Sequence, residues 1–178
     1  MAPAAAARRT VAGAAGVAPI APARAAFHDA RQVPAPHPKK ASPMTVIRAA
    51  ARKTRSAPAA NFTGTVFNDE IIAPAAPSRL RGSVVTFTPG ARTAWHAHPV
   101  GQTLYCLSGI GRVQFTGGPV QALHPGDTVA IPPDTRHWHG AAPDRIFAHI
   151  ALSETTADGG STQWFEHVSD ADYAAPPG

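Results

Sequence analysis

Two His-x-His pairs are the most chemically informative feature of this 178-residue sequence. His96 and His98 are separated by one residue, and His137 and His139 repeat that spacing. Side chains at positions i and i+2 of a β-strand share a face, so each pair can present both imidazoles on one side of a strand. Neutral imidazole is a good ligand for first-row divalent metals. The two pairs therefore predict a metal site, with ordinary packing histidines as the alternative.

A glutamine close to the first pair can complete such a site. Gln102 comes four residues after His98, beyond the bend Pro99-Val100-Gly101, which can fold it back toward the pair. Two histidines from one strand, a third from a distant strand and an amide oxygen form an open set of ligands. A substrate or a water molecule can occupy the remaining positions on such a metal.

The elements that must position these side chains are short β-strands. From Asn61 onward, β-branched and aromatic runs alternate with Gly and Pro turns at intervals of about 8–12 residues, which is typical of an all-β sandwich or barrel. A short helix is predicted over Ser169–Tyr173. The predicted strands are Phe62–Phe67, Asp69–Ala73, Leu80–Phe87, Ala94–His98, Thr103–Ser108, Arg112–Phe115, Val120–Leu123, Thr128–Ile131, His137–Ala141, Ile146–Leu152 and Thr162–Val168.

The first 60 residues differ in composition and are predicted to be a tail that precedes the folded domain, residues 61–178. The tail contains 22 alanines and eight prolines and shows no sustained helical or strand period. Alanine buries too little area to offset the loss of chain entropy on folding. Disorder is therefore expected over most of residues 1–43.

Several roles remain open for this Ala/Pro/Arg-rich tail. Arg8 and Arg9 precede a weakly apolar run, and Ala23-Arg24-Ala25 resembles a small-x-small cleavage site, which together would indicate export. An arginine-rich transit peptide fits the composition as well. A non-structural leader, or a start of the protein at Met44, is the interpretation we favour. It predicts a cytoplasmic protein, with export as the alternative.

Charge and composition exclude several classes of function. Residues 1–60 hold ten of the sixteen Lys and Arg and one acidic residue, whereas residues 61–178 hold six bases and ten acids. The net charge of +5 belongs to the tail, and the domain lacks the basic groove of a nucleic-acid binder. No run of about 18 uncharged apolar residues is available to cross a membrane. The single cysteine, Cys106, excludes an internal disulfide. Few charges and exposed edge strands predict a homodimer or a higher homo-oligomer.

The spacing around the first histidine pair resembles the first motif of the cupin superfamily. That motif is a glycine, five residues, His-x-His, three or four residues, a glutamate, six residues and a glycine. The matching positions here are Gly90, His96, His98, Gln102 and Gly109, so Gln102 replaces the glutamate of the family. Without that carboxylate the full 2+ charge stays on the metal, which becomes a stronger Lewis acid and prefers an anionic guest.

The second histidine pair lies in a stretch that resembles the second cupin motif. Gly126 is followed by five residues, then Pro132-Pro133-Asp134, two residues and His137. Asp134 replaces a glycine of the family, and Ala141 replaces its asparagine. The resemblance implies a single cupin domain, which is an all-β double-sheet barrel of the jelly-roll type.

Residues 79–82, 86–99 and 137–141 are similar to small single-domain cupins related to bacterial manganese-dependent hydroxynitrile lyases. Those enzymes split cyanohydrins into an aldehyde and hydrogen cyanide and also run the reverse addition. The resemblance implies a divalent metal ion, manganese first, with iron, zinc, nickel or cobalt as alternatives. It also implies a small-molecule substrate, either a 2-hydroxynitrile or another 2-hydroxy carbonyl compound. The implied metal ligands are His96, His98, Gln102 and His137.

Three further residues are candidates for catalysis. The resemblance implies that His149, on the predicted strand Ile146–Leu152, faces the metal as general base, and an imidazole with its ordinary pKa suits proton transfer near neutral pH. His139 is a candidate second acid/base group or a partner that orients a ligand. Thr93 can hydrogen-bond a substrate oxygen. A purely structural role is the alternative for each of the three.

Other functional classes remain open. A metal-dependent oxygenase or isomerase is compatible with the same fold, although Gln102 disfavours the usual ligand set of an iron dioxygenase. A cupin for sugar sensing or storage is disfavoured because all four ligands are present. Similar proteins are also grouped with carboxymuconolactone decarboxylases, so a cupin without lyase activity is a further alternative.

Overall fold

Thirteen β-strands, paired antiparallel in two sheets, dominate the part of the chain that the computed structural model describes, residues 44–178. A single turn of 3-10 helix (Ala49–Ala51) precedes them, and the helix α1 (Asp170–Ala174) follows. The strands are β1 (Arg55–Ser56), β2 (Phe62–Thr63), β3 (Val66–Ile72), β4 (Leu80–Phe87), β5 (Arg92–Thr93), β6 (His96–Ala97), β7 (Gln102–Gly109), β8 (Gly111–Phe115), β9 (Gln121–Leu123), β10 (Thr128–Ile131), β11 (His137–Ala141), β12 (Phe147–Glu154) and β13 (Gln163–Trp164).

The order of the strands brings the two histidine pairs together. The first sheet has the order β1-β3-β4-β12-β7-β10. The second has the order β13-β6-β11-β5-β2, and β8 and β9 extend it because β8 pairs with β11. The strands β6 and β11 are neighbours, and His137 lies directly opposite His96. Both His-x-His pairs therefore occupy one region of the second sheet.

Pairing among β4, β12 and β7 arranges the inward-facing side chains of the first sheet in rows. Every second residue of a strand faces the same side, so each row takes one residue from each strand. The row at one end is polar, and the rows become apolar toward the other end. In that order the rows are Arg81, Ser153 and Gln102; Ser83, Ala151 and Leu104; Val85, His149 and Cys106; Phe87, Phe147 and Gly109.

Aromatic and aliphatic side chains close the apolar end of the barrel. Phe87 and Phe147 are fully buried with ring centroids 6.3 Å apart, and Val66 and Val113 pack in the same cluster. Burying one side chain of this size stabilises the fold by about 1.5–3 kcal/mol. The core lies at this end, and the polar rows are left to line a cavity at the other.

A second cluster holds the C-terminal segment against the second sheet. Trp138 is fully buried there against Val168 and Tyr173. The buried Arg92 guanidinium donates to the Val168 carbonyl at 3.2 Å and to the Asp170 carboxylate at 2.6 Å, and it lies 4.5 Å from the Tyr173 ring centroid. These contacts join the end of the chain to β5 and β11, the strands next to the histidine cluster.

The structure confirms the predicted all-β double-sheet barrel, and β4, β10 and β11 have the predicted bounds. The prediction of one strand over Phe62–Phe67 is wrong, because the chain leaves one sheet for the other at Gly64. The φ angle of Gly64 is 77°, and a Cβ atom there would lie 2.9 Å from the Ala91 Cβ. The predicted interruption at Asn68 is also wrong, since β3 continues through it.

The predicted strand that contains the first histidine pair, and the predicted strand that pairs with it, are shorter than expected. Only His96–Ala97 of the predicted Ala94–His98 is paired as a strand, because the Ala94 and Trp95 backbone N–H groups donate to Asn61 and Glu166 instead. Likewise, only Gln163–Trp164 of the predicted Thr162–Val168 is a strand. The predicted terminal helix is present one residue later, with Ser169 as its N-cap.

The folded unit includes residues that the composition placed in the tail. Arg55–Ser56 pairs with β3, so the sheet begins before residue 61. The predicted disorder of residues 1–43 lies outside the described residues. None of the described helices is long and apolar enough to span a membrane.

Replacing Gly140 by alanine tests how tightly β11 must approach β5. A Cβ atom at Gly140 would lie 2.4 Å from the Ala91 carbonyl oxygen and 2.7 Å from the Arg92 Cα. We expect Gly140→Ala to lower the free energy of unfolding by about 1–3 kcal/mol, measured by denaturant titration. The matched control is Gly118→Ala, where the Cβ would meet only the Phe115 carbonyl oxygen at 3.5 Å. Equal stability of the two variants would contradict the close approach.

Candidate metal centre

Five histidines and one glutamine converge between the two sheets. Burying so many polar rings is costly unless their nitrogens are bonded, so the partners of each nitrogen indicate what the cluster does. All six side chains are buried: His96, His98, Gln102, His137, His139 and His149.

Backbone carbonyls fix the tautomer of three of the imidazoles. A carbonyl oxygen only accepts hydrogen bonds, so the Nδ1 atom that faces it carries the proton, and the Nε2 lone pair is free. Outer partners of this kind orient histidine ligands in metal sites. The Nδ1 atoms and their acceptors are His96 with Ala94 (3.0 Å), His98 with Ser161 (3.1 Å) and His137 with Thr135 (2.8 Å).

The contact between His137 and Gln102 brings two hydrogen-bond acceptors together with no proton between them. The His137 Nε2 lies 3.1 Å from the Gln102 Oε1. With its single proton on Nδ1, a neutral His137 presents a lone pair to the amide oxygen. Either the amide turns its nitrogen toward the ring, or a cation lies between the two acceptors. A metal ion at this point satisfies both atoms at once.

Further unpaired nitrogens favour the cation. Among the described residues, the Nε2 atoms of His98 and His139 are buried without a hydrogen-bond partner, which is rare for buried polar atoms. Ligand atoms of His96, His137 and His139 also lie within 4.8 Å of one another. Imidazole nitrogens with an amide oxygen suit a first-row divalent metal. The residues present therefore fit the implied metal ion.

Burial keeps these imidazoles in the neutral form that binds metals. Burial, reinforced by His137, lowers the pKa of His96 well below 6.5. It lowers the pKa of His137 to about 4, although the Thr135 carbonyl opposes this. Burial also lowers the pKa of His98, against the effect of the Ser161 carbonyl and with that of the Arg81 charge. Their lone pairs are therefore available at neutral pH.

His139 and His149 form a hydrogen-bonded pair beside these ligands. The His149 Nε2 lies 3.1 Å from the His139 Nδ1. Burial, and then the neighbouring His149, lowers the pKa of His139 well below 6.5, and burial lowers that of His149 to about 4. Thr93 Oγ1 accepts a hydrogen bond from the His139 backbone N–H at 3.2 Å. If the shared proton is on His139, its Nε2 is free to accept another.

The cluster lines a cavity of about 170 Å³ that opens to solvent. Phe62 and Trp164 form an aromatic wall, with ring centroids 5.5 Å apart and the Trp164 ring 4.9 Å from that of His96. No carboxylate of the described residues lines the cavity. A cavity of about 150 Å³ in another protein holds a benzene ring, so this one is large enough for a small aromatic compound.

The cavity separates the candidate residues into two groups. Its walls contain Thr93, His96, His98, Gln102 and His139, whereas His137 and His149 do not reach it. His137 contacts Gln102, and His149 contacts His139, so each of the two lies one residue further from the cavity. The structure thus places His139 at the cavity and His149 one hydrogen bond away.

Three cavity residues were missed by sequence reasoning. The sequence indicated no functional role for Phe62, Arg81 or Trp164. Phe62 and Trp164 meet only because β2 and β13 are placed by the fold, so no local pattern could have joined them. A signal did exist for Arg81, since the alternation of Ser83 and Val85 along β4 extends back to it.

Comparison with known proteins identifies relatives of this architecture. Residues 83–149 match the family model described as Cupin domain. A protein from Granulicella tundricola named (R)-mandelonitrile lyase is 45% identical over 130 residues, which is 73% of this chain and 98% of the relative. The crystal structure of a cupin-like protein from Thermotoga maritima has 38% identity and a TM-score of 0.63, covering 66% of this chain and 89% of that one. The polyketide cyclase RemF from Streptomyces resistomycificus shares the fold, with 16% identity and a TM-score of 0.59 over 73% and 90% of the chains.

Single substitutions distinguish the two sets of histidines that can bind the metal. We expect His98→Ala to lose the bound metal, because it removes an unpaired Nε2 of the ligand set that the cupin motif implies. We expect His139→Ala to retain it. Elemental analysis of the purified proteins measures both, with the exposed His124→Ala as control. Metal retained in His98→Ala and lost in His139→Ala would instead assign the site to His96, His137 and His139.

The acid stability of the metal-free protein tests whether the buried histidines are neutral. Their pKa values rise toward 6.5 on unfolding, so between about pH 6.5 and 4 the unfolded chain binds protons that the folded chain does not. The free energy of unfolding should therefore fall as the pH falls through this window, by roughly 1.4 kcal/mol per pH unit for each such histidine. Denaturant titrations at several pH values measure the slope. His149→Leu should make it shallower and His124→Gln should not, and stability independent of pH would contradict the account.

Proposed function

Because this chain belongs to the cupin family, we propose that it is a metal-dependent lyase that cleaves or forms the C–C bond of a cyanohydrin. The observation that carries the proposal is the free Nε2 atom of His139 at the cavity wall, beside a set of uncharged metal ligands. The relative at 45% identity that is named (R)-mandelonitrile lyase supports the class of substrate.

The metal ligands in this proposal are His96, His98, Gln102 and His137. A divalent ion held there supplies Lewis-acid chemistry that lowers the pKa of a substrate hydroxyl and stabilises developing negative charge. Manganese is the ion that the resemblance implies, although imidazole and amide donors also accept iron, cobalt, nickel and zinc. No carboxylate among the ligands reduces the charge of the ion.

His139 performs the proton transfer in this mechanism. Because burial lowers its pKa well below 6.5, contrary to the ordinary pKa expected of the base, the transfer depends on a metal ion that lowers the pKa of the substrate hydroxyl as well. Its Nε2 accepts the proton of the substrate hydroxyl, and the oxygen then forms the carbonyl double bond. The electrons of the C–C bond leave with the cyanide. His139 returns the proton to the cyanide, which departs as hydrogen cyanide. General acid–base catalysis of this kind typically contributes 10²–10⁴-fold to the rate.

His149 acts through His139. The mechanism assigns the proton of the 3.1 Å contact between the two rings to the His139 Nδ1, so the His149 Nε2 accepts and the His139 Nε2 stays free. The same bond stabilises the positive charge that forms on His139 during the transfer. His149 is therefore a positioning residue, whereas the resemblance implied that it is the base itself. The Thr93 hydroxyl accepts a hydrogen bond from the His139 backbone N–H and so helps to fix the position of the His139 ring.

The aromatic wall can contact the part of the substrate that does not react. Phe62 and Trp164 line the same cavity as the candidate ligands, with the Trp164 ring 4.9 Å from that of His96. Offset or edge contacts between aromatic rings contribute about 0.5–1.5 kcal/mol beyond simple burial. The phenyl group of mandelonitrile can pack there while its hydroxyl is directed toward His139. Water is displaced from that wall when the ring binds.

Substitutions of the histidine pair test this mechanism. We expect His139→Gln to lower kcat for mandelonitrile cleavage by at least about 100-fold, with little change in KM and with the metal retained. His149→Leu should lower kcat less, and His149→Gln should recover part of the loss because its amide oxygen can still accept from His139. Benzaldehyde formation, corrected for the uncatalysed rate, measures the activity, and elemental analysis measures the metal.

The control is His124→Gln, an exposed histidine outside the cavity. Full cleavage by a metal-loaded His139→Gln variant would contradict the role of His139. A wild-type protein that binds metal stoichiometrically but releases no cyanide would contradict the lyase proposal, and would direct the search to the oxygenase or isomerase class.

A further inference from the structure

Arg81 is the one charged side chain that lines the cavity among the described residues. It lies at the polar end of β4, where Arg81, Ser83 and Val85 alternate along the inward face. The residue is half-buried, so its guanidinium is partly withdrawn from water. A positive charge at the mouth of a cavity without carboxylates attracts anionic compounds.

The Arg81 guanidinium has no hydrogen-bond or ion-pair partner within the described part of the chain, in contrast to the other arginines between residues 61 and 178. Ion pairs or hydrogen bonds hold each of the five others between residues 61 and 178. Their partners are Glu154 for Arg79, Asp170 for Arg92, the Tyr173 carbonyl for Arg112, Glu166 for Arg136 and Asp144 for Arg145. The fold thus supplies acceptors to the arginines that it uses for structure and leaves Arg81 available for a ligand.

The register of the first sheet relates Arg81 to the metal ligands. Arg81 pairs with Ser153 on β12, and Ser153 pairs with Gln102 on β7, so the three form one row across the sheet. Neighbouring strands are about 4.8 Å apart, which places the Cα atoms of Arg81 and Gln102 roughly 10 Å from each other. Both side chains turn into the cavity. A small molecule can therefore contact the guanidinium and the ligand set at the same time.

The groups around Arg81 are uncharged and polar. Ser153 lies in the same row as Arg81, Asn68 and Thr162 line the same cavity, and each of the three offers a hydroxyl or an amide donor. Nearby donors and a guanidinium match a carboxylate, whose two oxygens can accept the parallel bonds of an arginine fork. They do not match a nitrile, which has a single weak acceptor atom.

We propose that the site takes substrates with a carboxylate next to the reacting carbon, that is, small 2-hydroxy or 2-oxo acids, and that Arg81 recognises this carboxylate. The inference rests on the proposed function, because it places the hydroxyl or carbonyl oxygen of such an acid at the proposed metal ligands. A neutral cyanohydrin then uses only the part of the site around His139 and leaves the Arg81 end of the cavity unused.

Direct binding measurements test this assignment. Mandelate and its uncharged amide, mandelamide, are titrated calorimetrically into the metal-loaded full chain. Arg81→Gln is compared with wild type and with Arg79→Gln, which removes a neighbouring arginine that does not line the cavity. We expect Arg81→Gln to weaken mandelate at least tenfold and to leave mandelamide within twofold, whereas Arg79→Gln changes neither. Thermal unfolding and metal content confirm that the variants are intact.

The inference is overturned if Arg81→Gln binds mandelate within twofold of wild type, or if it weakens mandelamide as much as mandelate. Measuring mandelonitrile cleavage on the same samples tests the proposed lyase activity independently of carboxylate binding. Arg81-dependent binding of mandelate without cyanide release supports the carboxylate site and rejects the lyase. Cyanide release with mandelate binding unaffected by Arg81→Gln supports the lyase and rejects the carboxylate site.

Discussion

Hydrogen bonds from imidazole Nδ1 atoms to backbone carbonyls are the constraint on which the rest of this structure depends. His96, His98 and His137 each use that bond to fix one tautomer, so their Nε2 lone pairs are left available to a metal ion. Burial lowers the pKa values of all three rings, so the rings stay neutral and their lone pairs are not protonated. A divalent cation that these lone pairs coordinate satisfies such a set.

The barrel serves this cluster by separating its apolar and polar ends. Phe87 and Phe147 fill the apolar end, and residues of the polar rows line the cavity. The C-terminal segment adds a second requirement, since Ser161 accepts from His98 and Trp164 stacks near His96. Arg92 anchors the end of that segment to β5. Interactions far from the cavity are thus needed to keep its wall in place.

Much of this arrangement could be predicted from the sequence, and the exceptions have physical causes. The histidine pairs, Gln102 and the turn glycines occupy fixed spacings, so the barrel could be predicted from local pattern, and the resemblance that these spacings carry implied the candidate ligands. The relation between His139 and His149 depends on how β11 and β12 approach each other across the two sheets, which no spacing encodes. The aromatic wall depends on the same long-range placement. The break at Gly64 was missed because an apolar run on both sides of a glycine resembles one continuous strand.

Anomalous X-ray scattering from crystals of the purified full chain, collected on both sides of the manganese absorption edge, shows whether these residues hold a metal ion. We expect one strong peak within bonding distance of Nε2 of His96, His98 and His137 and of Oε1 of Gln102, with the His139 Nε2 outside bonding distance. A peak at another metal's edge would change the ion but keep the site. The absence of any anomalous peak among these residues, with Gln102 donating its amide to His137, would contradict the account.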